Sequence, residues 1–305
     1  MDQEKPEKQS GLSTRGALWV GVGVVLILAL AFFLASFVGA MVHVHNVLRD
    51  GTENWGGIWT DENVEIAVKR LGGPERAAGQ LSFYLRLPER VTTYRRQAVT
   101  LLGFCGKSAV PALKRALKNE DTFVRSHAVY ALGRIGPAAK GAVCSLKEAL
   151  EGESDMVAIG AARVLFKMGA PDIDKTVSIL MRMLEDKKGS ERKSAAITLG
   201  EMGTAAKNAV PILAQAVEDE DVEVRIYAAR ALWQVAADKD KALPVLLREL
   251  TDGEAKVRRI AAKALGVFGA SAEAAIPALE QALNGGREDV RAAAAEALKK
   301  IRGGE

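Results

Sequence analysis

The chain contains a segment that repeats along the sequence, and most copies carry an arginine at the same position. These regularly spaced arginines are the residues whose pattern could indicate a binding site. A row of guanidinium groups could bind phosphate or carboxylate ligands through paired hydrogen bonds. A structural role is the alternative, because Asp121 and Asp221 lie four residues before Arg125 and Arg225. An Asp there could cap a helix, while the Arg bonds to the loop between repeats. We favour the structural role for this set, which is Arg95, Arg125, Arg192, Arg225, Arg258 and Arg291.

Histidine and cysteine show no catalytic pattern. His43 and His45 are close in sequence, but two histidines alone do not make a metal site. Cys105 falls where other repeats carry Ile, Met, Val or Phe, so a core position explains it better than a nucleophile does. Cys144 takes the place of a proline, and the two thiols could pair in an oxidising compartment. Since phosphate-binding loops and nucleophile elbows are missing from the sequence, we expect no enzyme activity, no cofactor and no metal.

Composition narrows the class of protein. The chain has 305 residues, of which 49% are apolar and only 5% aromatic. Its apolar residues are mostly Ala, Leu and Val, which favours helices over strands. The 42 basic and 38 acidic residues leave a formal charge of +4. This near balance argues against a nucleic-acid partner, because proteins that bind nucleic acid usually carry a clustered basic excess.

An uncharged segment near the amino terminus predicts a membrane helix. Residues 16–42 contain no charged side chain, and as a helix they would be roughly 40 Å long, enough for a hydrocarbon core of about 30 Å. A cleavable signal peptide is the alternative, but its apolar core is usually only about 7–15 residues. Small-residue pairs, Ala17 with Gly21 and Ala35 with Gly39, could support a weak homodimer through this helix.

Flanking charges predict the orientation of that helix. Lys5, Lys8 and Arg15 precede it, whereas Arg49 alone follows within twenty residues. Because positive charge stays on the cytoplasmic side, we expect a single-pass protein of the cell membrane. Its tail, residues 1–15, would be cytoplasmic and everything after the helix extracytoplasmic.

The rest of the chain is repetitive. A first-helix pattern such as VRSHAVYALGRIG recurs every 30 to 34 residues, and a second pattern such as AVPILAQAV lies between the copies. The first pattern begins at residues 94, 124, 157, 191, 224, 257 and 290. Glycines at the ends of the first pattern suggest left-handed helix caps, namely Gly106, Gly136, Gly169, Gly203 and Gly269. Prolines predict the starts of second helices, namely Pro111, Pro211, Pro244 and Pro277.

This double pattern resembles the HEAT-like repeats of the phycobilisome-lyase type, over residues 92–305. The resemblance implies an all-α HEAT-like solenoid, preceded here by the single transmembrane helix. The metal-dependent HEAT hydroxylases are similar only in the repeat, since their metal-binding pairs are missing from this sequence. The expected segments are a tail (1–15), a transmembrane helix (16–42), a juxtamembrane linker (43–61), a degenerate capping pair (62–91), six repeats (92–287) and a capping helix (288–305).

The exposed rows of the second helices carry the candidate binding site. Solenoids of this class line their concave face with second helices and bind partners there. Met181 and Leu247 stand where other copies carry charge, and apolar groups rimmed by charge are typical of protein-binding patches. Alternatively, these side chains pack over neighbouring repeats. The candidate protein-binding residues are Lys114, Arg115, Lys147, Met181, Arg182, Leu247 and Arg248.

The favoured function is a membrane-anchored scaffold that binds an unknown protein partner through the concave face. One alternative implied by the resemblance is a bilin-lyase-type enzyme or chaperone, although the predicted topology places the repeats outside the cytoplasm. A second is a nucleic-acid-binding protein similar to HEAT-like DNA glycosylases, which the balanced charge disfavours.

Overall fold

Helices make up the regular structure throughout the described part of the chain. A computed structural model describes residues 42–49, 61–85, 92–152, 154–186 and 188–303. Helix α1 covers residues 42–49. The helices that follow are α2 (Asp61–Arg70), α3 (Pro74–Tyr84), α4 (Thr92–Leu102), α5 (Val110–Ala116), α6 (Thr122–Ile135), α7 (Val143–Leu150), α8 (Asp155–Lys167), α9 (Ile173–Asp186), α10 (Gly189–Met202), α11 (Val210–Ala216), α12 (Val222–Ala236), α13 (Lys239–Asp252), α14 (Ala255–Val267), α15 (Ile276–Gly285) and α16 (Glu288–Ile301).

From α4 onwards the even-numbered helices carry the first pattern and the odd-numbered helices the second; we call them first and second helices. Successive first helices pack on one another, and each second helix packs on its neighbours. Their buried side chains form one continuous apolar core that reaches from Val44 to Ile301. An all-α solenoid was predicted, and the described residues confirm it. No repeat could bury its apolar face alone, so stacking is what stabilises the fold.

Left-handed glycines lie at or shortly after the ends of five first helices, as predicted from the sequence. Gly106, Gly136, Gly169, Gly203 and Gly269 all have positive φ, between 54° and 65°. Glycine takes this conformation without the steric conflict that a Cβ creates. Helix α12 ends differently, because Ala237 takes the left-handed cap with φ of 52°.

The prediction from the prolines holds for three second helices and is wrong for one. Pro111, Pro211 and Pro277 lie in the first turn of their helices. Pro244 instead lies inside α13, which begins earlier at Lys239. Asp238 explains the difference, since its side chain accepts a hydrogen bond from the backbone N–H of Lys241 and caps the longer helix.

Helix α1 lies in the segment predicted to be a linker. Val44, Val47 and Leu48 are buried in the apolar core, at the spacing that places side chains on one helical face. His43 donates from Nε2 to the carbonyl oxygen of Arg70 at 2.9 Å. The imidazole of His45 packs against the Tyr94 ring, with centroids 4.9 Å apart. The chain is therefore tied to the solenoid at this point; residues 50–60 lie outside the described ranges.

The predicted transmembrane segment, residues 16–42, lies outside the described residues except for Val42. Within the ranges that the structure describes, the helices are all too short or too polar to cross a membrane.

Close contact between first helices depends on small residues. A Cβ on Gly200 would lie 3.2 Å from the Ala231 Cα, and a Cβ on Gly266 would lie 3.2 Å from the Ala297 Cα. Trp233 occupies the equivalent position of α12 and stacks on Phe268, with ring centroids 4.8 Å apart. Helix α12 accordingly packs less closely on α14 than on α10.

Candidate functional site

The repeated arginines bond to their own chain. Arg125 donates from Nη1 to the carbonyl oxygens of Asn119 and Glu120, at 2.7 and 2.8 Å. Arg291 donates to the Gly286 carbonyl at 2.7 Å, and Arg258 to the Leu250 carbonyl at 3.1 Å. These carbonyls belong to the ends of preceding second helices or the loops after them, so the arginines close the turns between helices.

Acidic residues complete the same turns. Asp121 and Asp221 accept hydrogen bonds from the backbone N–H groups of Phe123 and Glu223, both at 2.8 Å, and so cap α6 and α12. Arg192 pairs with Asp219 through two hydrogen bonds of 2.7 and 2.8 Å. The structural interpretation of the arginine set therefore accounts for these residues without a ligand.

The structure divides the predicted binding residues into two groups. Arg115, Arg182, Arg248 and Lys114 are exposed on their second helices. Met181 and Leu247 are half-buried and pack against the core, so only part of each side chain is available to a partner. Lys147 is half-buried and forms an ion pair with Asp172. We call the seven predicted residues together the second-helix face.

A groove between α5 and α7 includes Lys114 and Arg115. Its volume is about 780 Å³, and Lys107, Lys118 and Glu148 also line it. A neighbouring cavity of about 380 Å³, which shares Lys118 and Glu148, continues it toward Arg125. We call the larger cavity the α5–α7 groove.

The cations of the α5–α7 groove are mostly unpaired. Lys118 bonds to Glu148 at 2.9 Å, and Glu148 is the one carboxylate in the lining. Lys107, Lys114 and Arg115 make no ion pair with any residue that the structure describes. The groove therefore has an excess of positive charge on its rim.

The surrounding repeats are basic as a whole. Residues 92–152 contain ten Lys or Arg and four Asp or Glu, a net formal charge of +6. Residues 210–299 contain twelve Lys or Arg and fifteen Asp or Glu, a net of −3. The net charge therefore differs in sign between these two parts of the solenoid, although the formal charge of the whole chain is only +4.

The two thiols are free and differ in environment. Cys105 is buried, and this burial raises the pKa of its thiol to about 12, as suits a core residue. Cys144 is exposed and lines the α5–α7 groove. The disulfide considered from the sequence is not formed in this structure.

Exposed apolar side chains also lie on the first helices, outside the second-helix face. Tyr130 is 65% exposed, Phe123 51%, Met156 50% and Val267 40%. Phe123 and Met156 occupy the same repeat position, so aligning the copies could have found them. Phe123 is partly covered by the guanidinium group of Arg96, 4.3 Å from the ring centroid.

Comparison with known families identifies the repeats. A family model for HEAT repeats matches residues 92–151 and 210–299. A model for the PBS lyase HEAT-like repeat matches residues 191–219. No curated protein matches the chain. The chain therefore contains HEAT-like repeats, as its sequence pattern predicted.

Solved structures share the fold at low sequence identity. The complex of CpcE and CpcF of phycocyanin lyase from Nostoc sp. PCC7120 is 22% identical, with a TM-score of 0.50 over 74% of this chain and 94% of that one. The Escherichia coli protein YibA is 17% identical, with a TM-score of 0.51 over 88% of this chain and 96% of that one. A Kap121p mutant is 14% identical, with a TM-score of 0.55 over 85% of this chain but only 33% of its own. These likenesses show the fold alone.

Proposed function

We propose that the protein is a membrane-anchored HEAT-repeat scaffold that binds a partner protein through the second-helix face, and that it catalyses no reaction. The observation that carries this proposal is the arrangement of that face. Exposed Arg182 and Arg248 follow directly after the partly exposed Met181 and Leu247. Arginine is enriched among binding hot spots, and hot spots lie where neighbouring contacts exclude water.

The solenoid form supports an interaction role. A stack of repeats offers a long continuous surface with many equivalent positions, and such surfaces typically serve as binding faces. The structurally similar CpcE and CpcF occur in a complex with each other. A HEAT-like solenoid of this size therefore suits association with another protein.

Membrane anchoring is the second part of the proposal. It rests on the uncharged run of residues 16–42 and on the excess of Lys and Arg before it. We propose a cytoplasmic amino terminus and an extracytoplasmic solenoid. A reporter that works only in the cytoplasm, fused after the last residue, should be inactive. Activity of that reporter would reverse the orientation, and release of the protein by carbonate washing would rule out the anchor.

Proximity labelling of the full chain in its own membrane tests the binding role. A labelling enzyme is fused after the last residue, and wild type is compared with the Met181→Lys/Leu247→Lys variant. We expect the variant to lose at least tenfold of the specific labelling, because two charges would replace apolar contacts. The matched control is Tyr130→Lys/Val267→Lys, which places the same charges on exposed first-helix positions and should label as wild type does.

Two results would contradict the proposed site. If labelling falls only in the Tyr130→Lys/Val267→Lys control, the partner binds the first helices instead. If Met181→Lys/Leu247→Lys loses helical circular dichroism, those residues belong to the core and the second-helix face is wrong.

A further inference from the structure

The α5–α7 groove has features that the second-helix face as a whole does not share. Lys107, Lys114 and Arg115 face it without an ion-pair partner among the described residues. Its one carboxylate, Glu148, is already bonded to Lys118 at 2.9 Å. A neutral ligand that covered these cations would remove their hydration without offering an opposite charge in its place, which costs free energy. The groove therefore favours a negatively charged ligand.

The shape of the charge favours a polypeptide over a small anion. Lys107 precedes α5, Lys114 and Arg115 lie in its last turn, and Lys118 follows it. Seven helical residues rise about 10 Å, so the cations are spread along a line. They do not converge on one point, as a site for phosphate would require.

The lining supplies the second requirement of a peptide site. Val110, Pro111 and Ala138 contribute apolar surface to the groove, which an anion alone would leave unused. Apolar contact beneath a charged rim is the usual arrangement of a peptide-binding groove. The adjoining cavity of about 380 Å³ extends the path for a chain longer than a few residues.

We propose that the α5–α7 groove binds an acidic segment of the partner protein, one whose Asp or Glu side chains pair with Lys107, Lys114 and Arg115 while small apolar side chains contact Val110 and Pro111. This inference rests on the proposed scaffold function and specifies its partner. The net charge of +6 over residues 92–152 attracts such a segment to these repeats and away from the net negative repeats at residues 210–299.

Cys144 provides a direct test because its exposed thiol lines the groove, whereas Cys105 is buried. Benzophenone maleimide is attached to Cys144 of the full chain in its own membrane, illuminated, and the captured peptides are sequenced by mass spectrometry. We expect captured segments with a net negative charge and an apolar residue among the acids. Capture should fall at least tenfold in Lys114→Glu/Arg115→Glu and should weaken as NaCl rises from 50 to 300 mM.

The charge-matched control is Lys167→Glu/Lys207→Glu, two exposed lysines outside the groove, which should capture as wild type does. The captured segment is then synthesised, together with a version in which Asn and Gln replace Asp and Glu. The acidic peptide should bind the purified chain at least ten times more tightly than the neutral one.

Several results would overturn the proposal. These are captured segments that are neutral or basic, cross-links to lipid headgroups or nucleic acid, cross-links to a second copy of this chain, and equal capture by Lys114→Glu/Arg115→Glu and wild type. If any of these occurs while proximity labelling still depends on Met181 and Leu247, the scaffold function stands and the acidic-segment proposal fails. The groove could also capture an acidic segment while Met181→Lys/Leu247→Lys labels as wild type does. In that case Met181 and Leu247 do not bind the partner, and the α5–α7 groove remains as the binding site.

Discussion

Glu249 accepts a hydrogen bond from Nε of Arg225 at 2.9 Å, and the residue is only 5% exposed. Other second helices place an apolar residue at this position, namely Ala116, Ala149, Met183, Ala216 and Ala282. Arg225 also holds the carbonyl oxygens of Asp219 and Glu220, and Arg248 reaches Glu249 at 3.3 Å. The buried charge of Glu249 therefore depends on arginine from both α12 and α13.

Replacing Arg225 by Met should lower the free energy of unfolding by about 3 kcal/mol, because it leaves Glu249 buried without its main partner. The double variant Arg225→Met/Glu249→Ala should recover at least about 1 kcal/mol, since it removes that uncompensated charge. Urea unfolding followed by circular dichroism measures both. A double variant no more stable than Arg225→Met alone would show that the buried charge is not the cause.

Glu223 should make the stability depend on pH. Hydrogen bonds from Lys193, at 2.8 Å, and then from Lys256 lower the pKa of its carboxyl below the usual value. A lowered pKa favours the charged form, so the contribution is present above about pH 4.3 and is lost as the pH falls through the folded-state pKa. Glu223→Gln should therefore unfold more easily than wild type by about 1 kcal/mol at pH 7, and the difference should shrink in acid.

The control for that experiment is Glu273→Gln, which changes an exposed glutamate. Its unfolding midpoint in urea should match that of wild type across the same pH range. A Glu223→Gln deficit that stays constant from pH 7 to pH 3 would mean that the loss comes from packing and not from the ion pairs.

Ala237 should tolerate glycine with a gain in stability. Its φ of 52° brings its Cβ close to backbone atoms, and this conformation costs a non-glycine residue about 1–2 kcal/mol. Part of that gain is offset by the greater freedom of glycine in the unfolded chain, so Ala237→Gly should stabilise by about 0.5–1 kcal/mol. Thermal unfolding measures the change; Ala236→Gly, a substitution at the last helical residue, should destabilise.

The two thiols should react at different rates. At pH 8 an aromatic disulfide reagent should modify the exposed Cys144 within minutes. Cys105 should react only when urea unfolds the chain, because burial raises the pKa of its thiol to about 12 and blocks access. Cys144→Ser removes the fast phase if this assignment is right; fast labelling of that variant would contradict it.

Much of the fold could be predicted because the same physical problem is solved in every repeat. Glycine after five of the first helices and apolar spacing within them recur in the sequence, so the pattern of one repeat can be checked against the next. Local exceptions were harder to predict. The proline rule failed at Pro244 because the neighbouring Asp238 could cap an earlier start, and α1 was missed because Val44, Val47 and Leu48 follow directly after a long apolar run.

The candidate site could be predicted only in part. Aligned copies led to Lys114 and Arg115, but the groove also needs Lys107 and Cys144, whose proximity follows from how two repeats stack. Ion pairing could not be predicted either, because no sequence pattern distinguishes Lys118, which pairs with Glu148, from Lys114, which is unpaired among the described residues. Half-burial of Met181 and Leu247 depends on neighbouring helices in the same way.

The stacked rings of Trp233 and Phe268 make the solenoid mechanically uneven. Where glycine lets neighbouring first helices meet almost backbone to backbone, as at Gly200 and Ala231, the joint is stiff, because any bending compresses atoms already in contact. Two flat rings can slide over each other with little loss of contact. We therefore expect the array to flex more readily at the joint between α12 and α14 than at the joint between α10 and α12, where the two first helices are in closer contact.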